Sequence, residues 1–493
     1  MTVGDNNSEN DGVLRQIITG DIEEVLSNHE LDLSDSEDED HFIRKYGDIQ
    51  YQYIKRPRES VWFIRPHALN YFMDGVLYRT KGERSSAKTE LFLDLLYVGI
   101  IANLAGAASE AATFEALLKY ILLFLPAWVV WADIKDFTNY YYNEDLLQRL
   151  YIFWIITVLA FYANNAHKVW DGVHGGALTY VPYMVCRLLL AISLLIYSFY
   201  IPQHRAQLRV YSFTIFITSA LWIPIIFFNP LGKKIASAVL LVLEQVCFSV
   251  CYSPWFKKKL NLRTSTALNI EHEVERFSAF VTIAIGEFLY KVVASNPLGV
   301  GFNPKFLRGV FLLLIAYTFA WLYNHGSTSK KAIHPLRHLA TRAISWIYFH
   351  IPLIAALILA ADAGGDFCEL DETDIWAILV EGEEHEHRSL HKLALFFSGG
   401  LGVALFSLFI IGLLDVPKDP AGLHIIPRTP RIALRLPVAV IFIGLPFAHI
   451  SSTLLMGICA LLLTIIVVFE SIVSTPKECL WRPSIQLADD HCE

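Results

Sequence analysis

The sequence predicts an all-α fold, a polytopic transmembrane helical bundle of about 12 spans, with 10–12 the range the apolar pattern allows. Three observations carry that prediction. The chain of 493 residues is 54% hydrophobic and 18% charged, whereas a soluble domain has about 25% charged residues. From residue 90 onward the apolar residues fall into successive runs of bilayer-spanning length, separated by short gaps. Aromatic residues make up 13% of the chain, enough to furnish belts of Trp and Tyr at both interfaces.

The net charge of −8 conceals two regions of opposite character. Residues 1–40 hold thirteen Asp/Glu against one Arg, a local −12, which leaves +4 on the rest. Like charge that dense, with few apolar residues, cannot sustain a core, so 1–40 reads as a disordered acidic cytoplasmic tail. It lacks the apolar segment of a signal peptide. Ser34 and Ser36, set among its acidic residues, are candidate phosphorylation sites. Residues 41–89 alternate basic and aromatic side chains, among them Lys55, Arg56, Arg58, Trp62, Phe63 and Arg65. Such a juxtamembrane segment either lies on the lipid surface, cations toward anionic headgroups, or forms an ordered cap on the bundle.

Twelve runs follow, near 90–108, 114–136, 146–164, 178–200, 208–229, 235–255, 277–294, 306–324, 341–361, 391–414, 432–448 and 453–473. The least marked are the hairpin around Pro224 and Pro230 and the short run 432–448. An internal echo divides them into two six-helix halves, 90–256 and 270–473, the second holding an acidic loop at 362–388. Glu90-Leu-Phe92 opens the first run and Glu275-Arg-Phe277 the seventh; Ala127-Trp128 near the end of the second is matched by Ala320-Trp321 in the eighth. Six spans per half make the repeats parallel, as in some transporter folds. Residues 474–493 form a C-terminal tail.

Charge asymmetry orients the set. Residues 55–88 carry eight Lys/Arg, and the loops after the sixth and eighth runs are also basic, so this side is expected in the cytoplasm with both termini. The acidic loop, with ten Asp/Glu and one Arg, lies on the other side; Lys233 and Lys234 dissent. The protein is therefore expected as an integral component of the plasma membrane or an endomembrane, in contact with membrane lipids. A homo-oligomer is left open, and nothing suggests nucleic-acid binding.

Ionisable residues inside apolar runs are the candidates for function, because a charge at membrane depth costs about 2.5–3.5 kcal/mol on insertion scales. Glu90 and Asp94 share a face of the first run with Tyr97 one turn below. They either mark the helix end in the headgroup layer or face a partner. The small residues Gly99, Ala102 and Gly106 offer a second stripe for close helix approach. In the seventh run Glu275 sits at the helix start, and Arg276 and Glu287, eleven apart, return to nearly one face. Glu287 has Lys291 one turn on, so a structural ion pair competes with a bundle-facing site. Arg187 needs an acidic partner, for which Glu244, Asp94 and Glu287 are the candidates. Trp128 and Trp131 complete the set, with His350, a hydrogen-bonded helix residue or a proton relay. In the acidic loop His385, His387 and His391 are metal candidates, the last two spaced for one helical turn, against a solvated loop. His272-Glu273 opens like a zinc-protease motif, but Arg276 stands where the second His belongs. The cysteines show no metal or disulfide pattern, and no cofactor fingerprint or nucleophile elbow appears, so neither a cofactor nor an enzyme is expected.

The stretches Glu90-Leu-Phe-Leu-Asp94-Leu-Leu-Tyr97-Val, Leu125-Pro-Ala-Trp128-Val-Val-Trp131, Glu275-Arg276-Phe277 and Gly286-Glu287 occur together and in order. In them the chain resembles the bacterial low temperature requirement A family, well over residues 80–360 and by length and hydropathy beyond. The acidic tail, the 362–388 loop and the last third depart from it; tail and loops resemble those of fungal members. The resemblance implies a polytopic membrane protein linked to growth in the cold, without an established reaction. Two functions from different classes follow. One is a secondary transporter or channel-like permease for a small solute or ion, with Glu90, Asp94, Arg276 and Glu287 lining a cavity near the midplane. The other is a non-transporting scaffold or sensor whose buried charges are structural.

Overall fold

In the computed structural model the chain is a helical bundle, described over residues 51–54, 62–74, 76–80, 86–143, 145–294, 298–325, 332–338, 340–381, 386–417, 422–475 and 477. Ser34, Ser36 and His385 lie outside the described residues. Twelve long helices are present among them: α1 (Lys88–Ala111), α2 (Phe114–Tyr141), α3 (Leu146–Asn165), α4 (Gly172–Tyr200), α5 (Arg205–Ile225) and α6 (Pro230–Cys251). The second six are α7 (Ile270–Val293), α8 (Pro304–Asn324), α9 (Ala340–Glu369), α10 (Leu390–Leu414), α11 (Arg428–Phe447) and α12 (Ser452–Ser474). Eleven are long and apolar enough to cross a membrane. The other, α7, carries Glu273, Arg276, Glu287 and Lys291 along its length. The chain is a multi-pass integral membrane protein.

The helix starts follow local chemistry. Thr113, Asp145, Asn229, Asn269, Asn303 and Ser451 each accept a backbone N–H of the first turn, satisfying donors that the helix leaves open. Pro230 and Pro304 occupy first-turn positions where the missing N–H costs nothing. The helices outrun the apolar runs where polar residues find partners inside the bundle. Thus α7 begins at Ile270 rather than 277, because His272, Glu273 and Arg276 are buried against α1 and α2. The dissenting Lys233 is likewise consumed locally. It is fully buried, donates to the carbonyls of Val169 (3.3 Å) and Gly172, and fills the space that Gly176 leaves empty. Its neighbour Lys234 pairs with Glu115.

The described part of the juxtamembrane segment forms a β cap. Strands β1 (Tyr51–Ile54), β2 (Asn70–Met73) and β3 (Val76–Thr80) join β4 (Thr264–Thr266), from the loop before α7, in the order β1-β3-β2-β4. The β2–β3 hairpin turns at Asp74, whose φ of 51° is left-handed. The cap is tied to the end of α2 by Leu69 N–H donating to Tyr140 O (3.1 Å). The hydrophobic pattern of α-helical runs gave no sign of these strands, which are short, and β2 takes its partner β4 from about 190 residues along the chain.

Helices α1, α7 and α9 pack mutually and form the centre, with α2 against α1 and α7. Around them a neighbour pattern repeats. The pairs α1–α2, α1–α3, α2–α6, α3–α4, α4–α5 and α5–α6 are mirrored by α7–α8, α7–α9, α8–α12, α9–α10, α10–α11 and α11–α12. The central packing is aromatic: Trp128, Trp131, Phe277 and Phe280 lie with ring centres 4.6–6.1 Å apart.

Close approach does not follow the expected small-residue stripe. A Cβ on Gly99 would meet nothing within 4 Å, and one on Gly106 would rest 3.6 Å from Asp362. One tight contact is α10 on α11, where a Cβ on Gly402 would lie 2.8 Å from the Ala439 carbonyl oxygen. A Gly402→Ala change is therefore expected to destabilise by about 1–3 kcal/mol through overpacking. Gly99→Ala should be neutral or stabilising by up to about 1 kcal/mol from helix propensity. Thermal unfolding in detergent separates the two, and equal melting of both variants contradicts the packing.

His204, in the turn between α4 and α5, is 1% exposed, with Nδ1 2.9 Å from the Tyr141 hydroxyl. Burial pushes its pKa down to about 3. Below the ordinary value of about 6.5 the unfolded chain takes up a proton that the folded chain refuses, so stability falls as pH drops, by at most about 1.4 kcal/mol per unit. His204→Gln is expected to flatten the stability profile between about pH 6 and 4. An unchanged slope in graded-pH unfolding contradicts that assignment.

Candidate functional site

The face of the bundle that carries the sheet gathers a buried ionic network from the starts of α1 and α7 and the end of α2. Glu90 serves its own helix, accepting the Ala87 N–H (2.9 Å), and reaches His272 Nε2 at 3.1 Å. One turn on, Asp94 Oδ1 accepts from Arg276 Nη2 and Trp131 Nε1, both at 2.7 Å. Asp94 and Arg276 are fully buried. The i,i+4 spacing on α1 thus sets two carboxylates against two successive turns of α7. Tyr97 is buried beneath them, and among the described residues its hydroxyl has no hydrogen-bond partner.

On α2 the face that offers Trp131 next presents Lys135, again four residues on. Its ammonium bridges Asp136 (2.7 Å) and Glu273, and the side chain is 2% exposed. Asn139 follows, exchanging hydrogen bonds with the backbone of Asn269 at 3.0 and 2.9 Å. This locks the end of α2 to the start of α7.

A second group lies deeper in the first six helices. Arg187 pairs with Asp133, whose other oxygen accepts from the Tyr211 hydroxyl at 3.1 Å. None of the three partners expected for Arg187 takes that place. Asp133 stands inside α2, which continues to Tyr141. Glu244 is held instead by the Tyr183 hydroxyl and Trp222 Nε1 (3.1 Å).

Glu287 stands apart. Eleven residues of helix put it about 16 Å from Arg276 along the axis. It sits at the other end of the bundle, where Lys291 bridges to Asp362 and Ser109 donates to Asp366 (2.9 Å). The expectation that Glu90, Asp94, Arg276 and Glu287 line one cavity near the midplane is therefore corrected. The first three are packed into bridges at one end, and Phe277, Phe280, Val281 and Ala284 fill α7 between them and Glu287. Glu275 is exposed and accepts the Ser86 N–H (2.9 Å). His350 is buried, with Nδ1 2.7 Å from Trp346 O and Nε2 3.1 Å from the Tyr323 hydroxyl.

The loop histidines are not brought together on a helix. His387 belongs to a strand (Glu386–Ser389) paired with Ile378–Glu381, and the helix begins only at Leu390. His391 stacks on Trp376 (4.2 Å between ring centres), and its Nδ1 lies 2.9 Å from Pro446 O.

The cavity that does meet this network lies at the seam between the first six helices and α7 and α9. It measures about 210 Å³. Asp133, Lys135, Asp136 and Glu273 supply its charged wall. Trp128, Tyr211, Phe248 and Tyr252 supply aromatic faces. Tyr348 of α9 closes one side by donating to Gln245 of α6 at 3.0 Å. Lys135, Asp136, Glu273 and Tyr348 were not singled out by sequence reasoning as pathway residues. The available signal was the i,i+4 step from Trp131 to Lys135.

The family model described as bacterial low temperature requirement A protein matches residues 85–469. An uncharacterized protein of Rhizobium meliloti (strain 1021) is 25% identical over 290 residues, covering 56% of this chain and 68% of that protein. No solved structure matches.

Proposed function

The chain belongs to the low temperature requirement A family, and we propose that it is a secondary transporter or channel-like permease for a small solute or ion. The observation that carries this reading is the carboxylate-bearing cavity at the seam between the two sets of six helices. Transporters built from repeats place their solute at such a seam, where rocking of one half exposes it to either side in turn. The repeated neighbour pattern supports the same architecture. Around the seam, Asp94, Asp133, Asp136, Glu244 and Glu273 outnumber the permanent cations Lys135, Arg187 and Arg276. Excess carboxylate in a low-dielectric setting favours uptake of protons or cations, which is how such groups couple ion movement to a solute. The sheet face is assigned to the cytoplasm by its basic connections. The acidic tail and loops point to a fungal-type member.

A second reading has its own observation. Asp94, Arg276 and Trp131 form a buried bridge, which favours a scaffold or sensor whose charges are structural. The two separate in proteoliposomes. Solid-supported membrane recordings with panels of small amines, amino acids and sugars should give solute-dependent charge movement. Absence of any current from correctly inserted protein favours the scaffold.

A further inference from the structure

Resting on the permease reading, we propose that the seam cavity binds a small organic monocation, an ammonium group on an apolar body, which competes with Lys135 for Asp136 and Glu273. Lys135 displays the required chemistry. Its ammonium sits between the two carboxylates, 5.1 Å from the Phe277 ring centre and 5.9 Å from that of Trp131. The cavity therefore already holds one alkylammonium of the chain's own. The wall beyond it repeats those surroundings, with Trp128, Tyr211, Phe248 and Tyr252 presenting aromatic rings. Ring faces attract cations, and organic ammonium groups are recognised in this way.

Charge and size agree. Asp133, Asp136 and Glu273 face Lys135 and Arg187, leaving one negative charge that a monovalent cation neutralises. About 210 Å³ holds a body of several heavy atoms, since one water takes about 30 Å³ of liquid. The Tyr348–Gln245 hydrogen bond closes the wall between α6 and α9, which otherwise meet little.

The test uses full-length protein in nanodiscs and follows thermal unfolding with butylammonium, tetramethylammonium, butanol, sodium chloride or potassium chloride at matched ionic strength. The two organic cations should stabilise saturably, and butanol and the alkali ions should not. Asp136→Asn should weaken that binding by about 30-fold or more. Should that variant not fold, Phe248→Leu still tests the site, with an expected loss of about fivefold. The proposal is overturned if neither organic cation acts saturably, if sodium or potassium acts equally, or if Phe248→Leu binds like the parent. Recordings distinguish the underlying reading. Saturable binding without current leaves the cation site and removes the permease; current from a neutral or anionic solute without cation binding does the reverse.

Discussion

Replacing Arg276 with Met is expected to cost about 3–5 kcal/mol of stability, the largest effect foreseen for a single side chain here. Asp94 would keep only the Trp131 N–H, leaving a buried carboxylate without its cation. The penalty comes from the stranded charge rather than from the bridge itself. Asp94→Asn in the same chain should therefore recover most of the loss, although it restores no ion pair. Thermal unfolding of the parent, the two single variants and the double variant completes the cycle. Additive losses in the double variant contradict the argument. Because Trp131 belongs to the aromatic packing of α2 on α7, the bridge also fixes the helix that carries Lys135.

The second large effect concerns activity. Glu273→Gln keeps shape and a hydrogen-bonding oxygen for Lys135 but removes one charge from the cavity wall. Solute-dependent current should fall by about two orders of magnitude, while insertion and melting change little because Asp136 still neutralises Lys135. Current that persists at the parent level removes Glu273 from the pathway. Loss of current together with loss of folding assigns it to structure.

Much of the architecture was legible before any coordinates. All twelve apolar runs correspond to helices, including the Pro224–Pro230 hairpin and the short run near 432–448. Spanning length and continuity of apolar residues are local properties, and a membrane leaves the chain few other ways to satisfy its backbone. The i,i+4 pair Glu90 and Asp94 was visible for the same reason, because a helix fixes which side chains share a face. What could not be read was which helices meet. Only the packing of α4 against α2 reveals Asp133 as the partner of Arg187. Glu287 appeared to share a site with Arg276 because helical phase says nothing about depth. The β cap escaped because β2 draws a partner from a loop far along the chain.

The most direct test of a solute pathway at the seam is the accessibility of Ser249, which lines the cavity beside Tyr348. A Ser249→Cys variant, in a background without other cysteines, can be exposed to a charged, membrane-impermeant thiol reagent from each side of sealed vesicles. The account predicts labelling from the sheet face and slower labelling in the presence of a transported solute. Labelling from neither side, in protein that is folded and inserted, would mean that the seam is closed to water and that its carboxylates serve only to hold helices together.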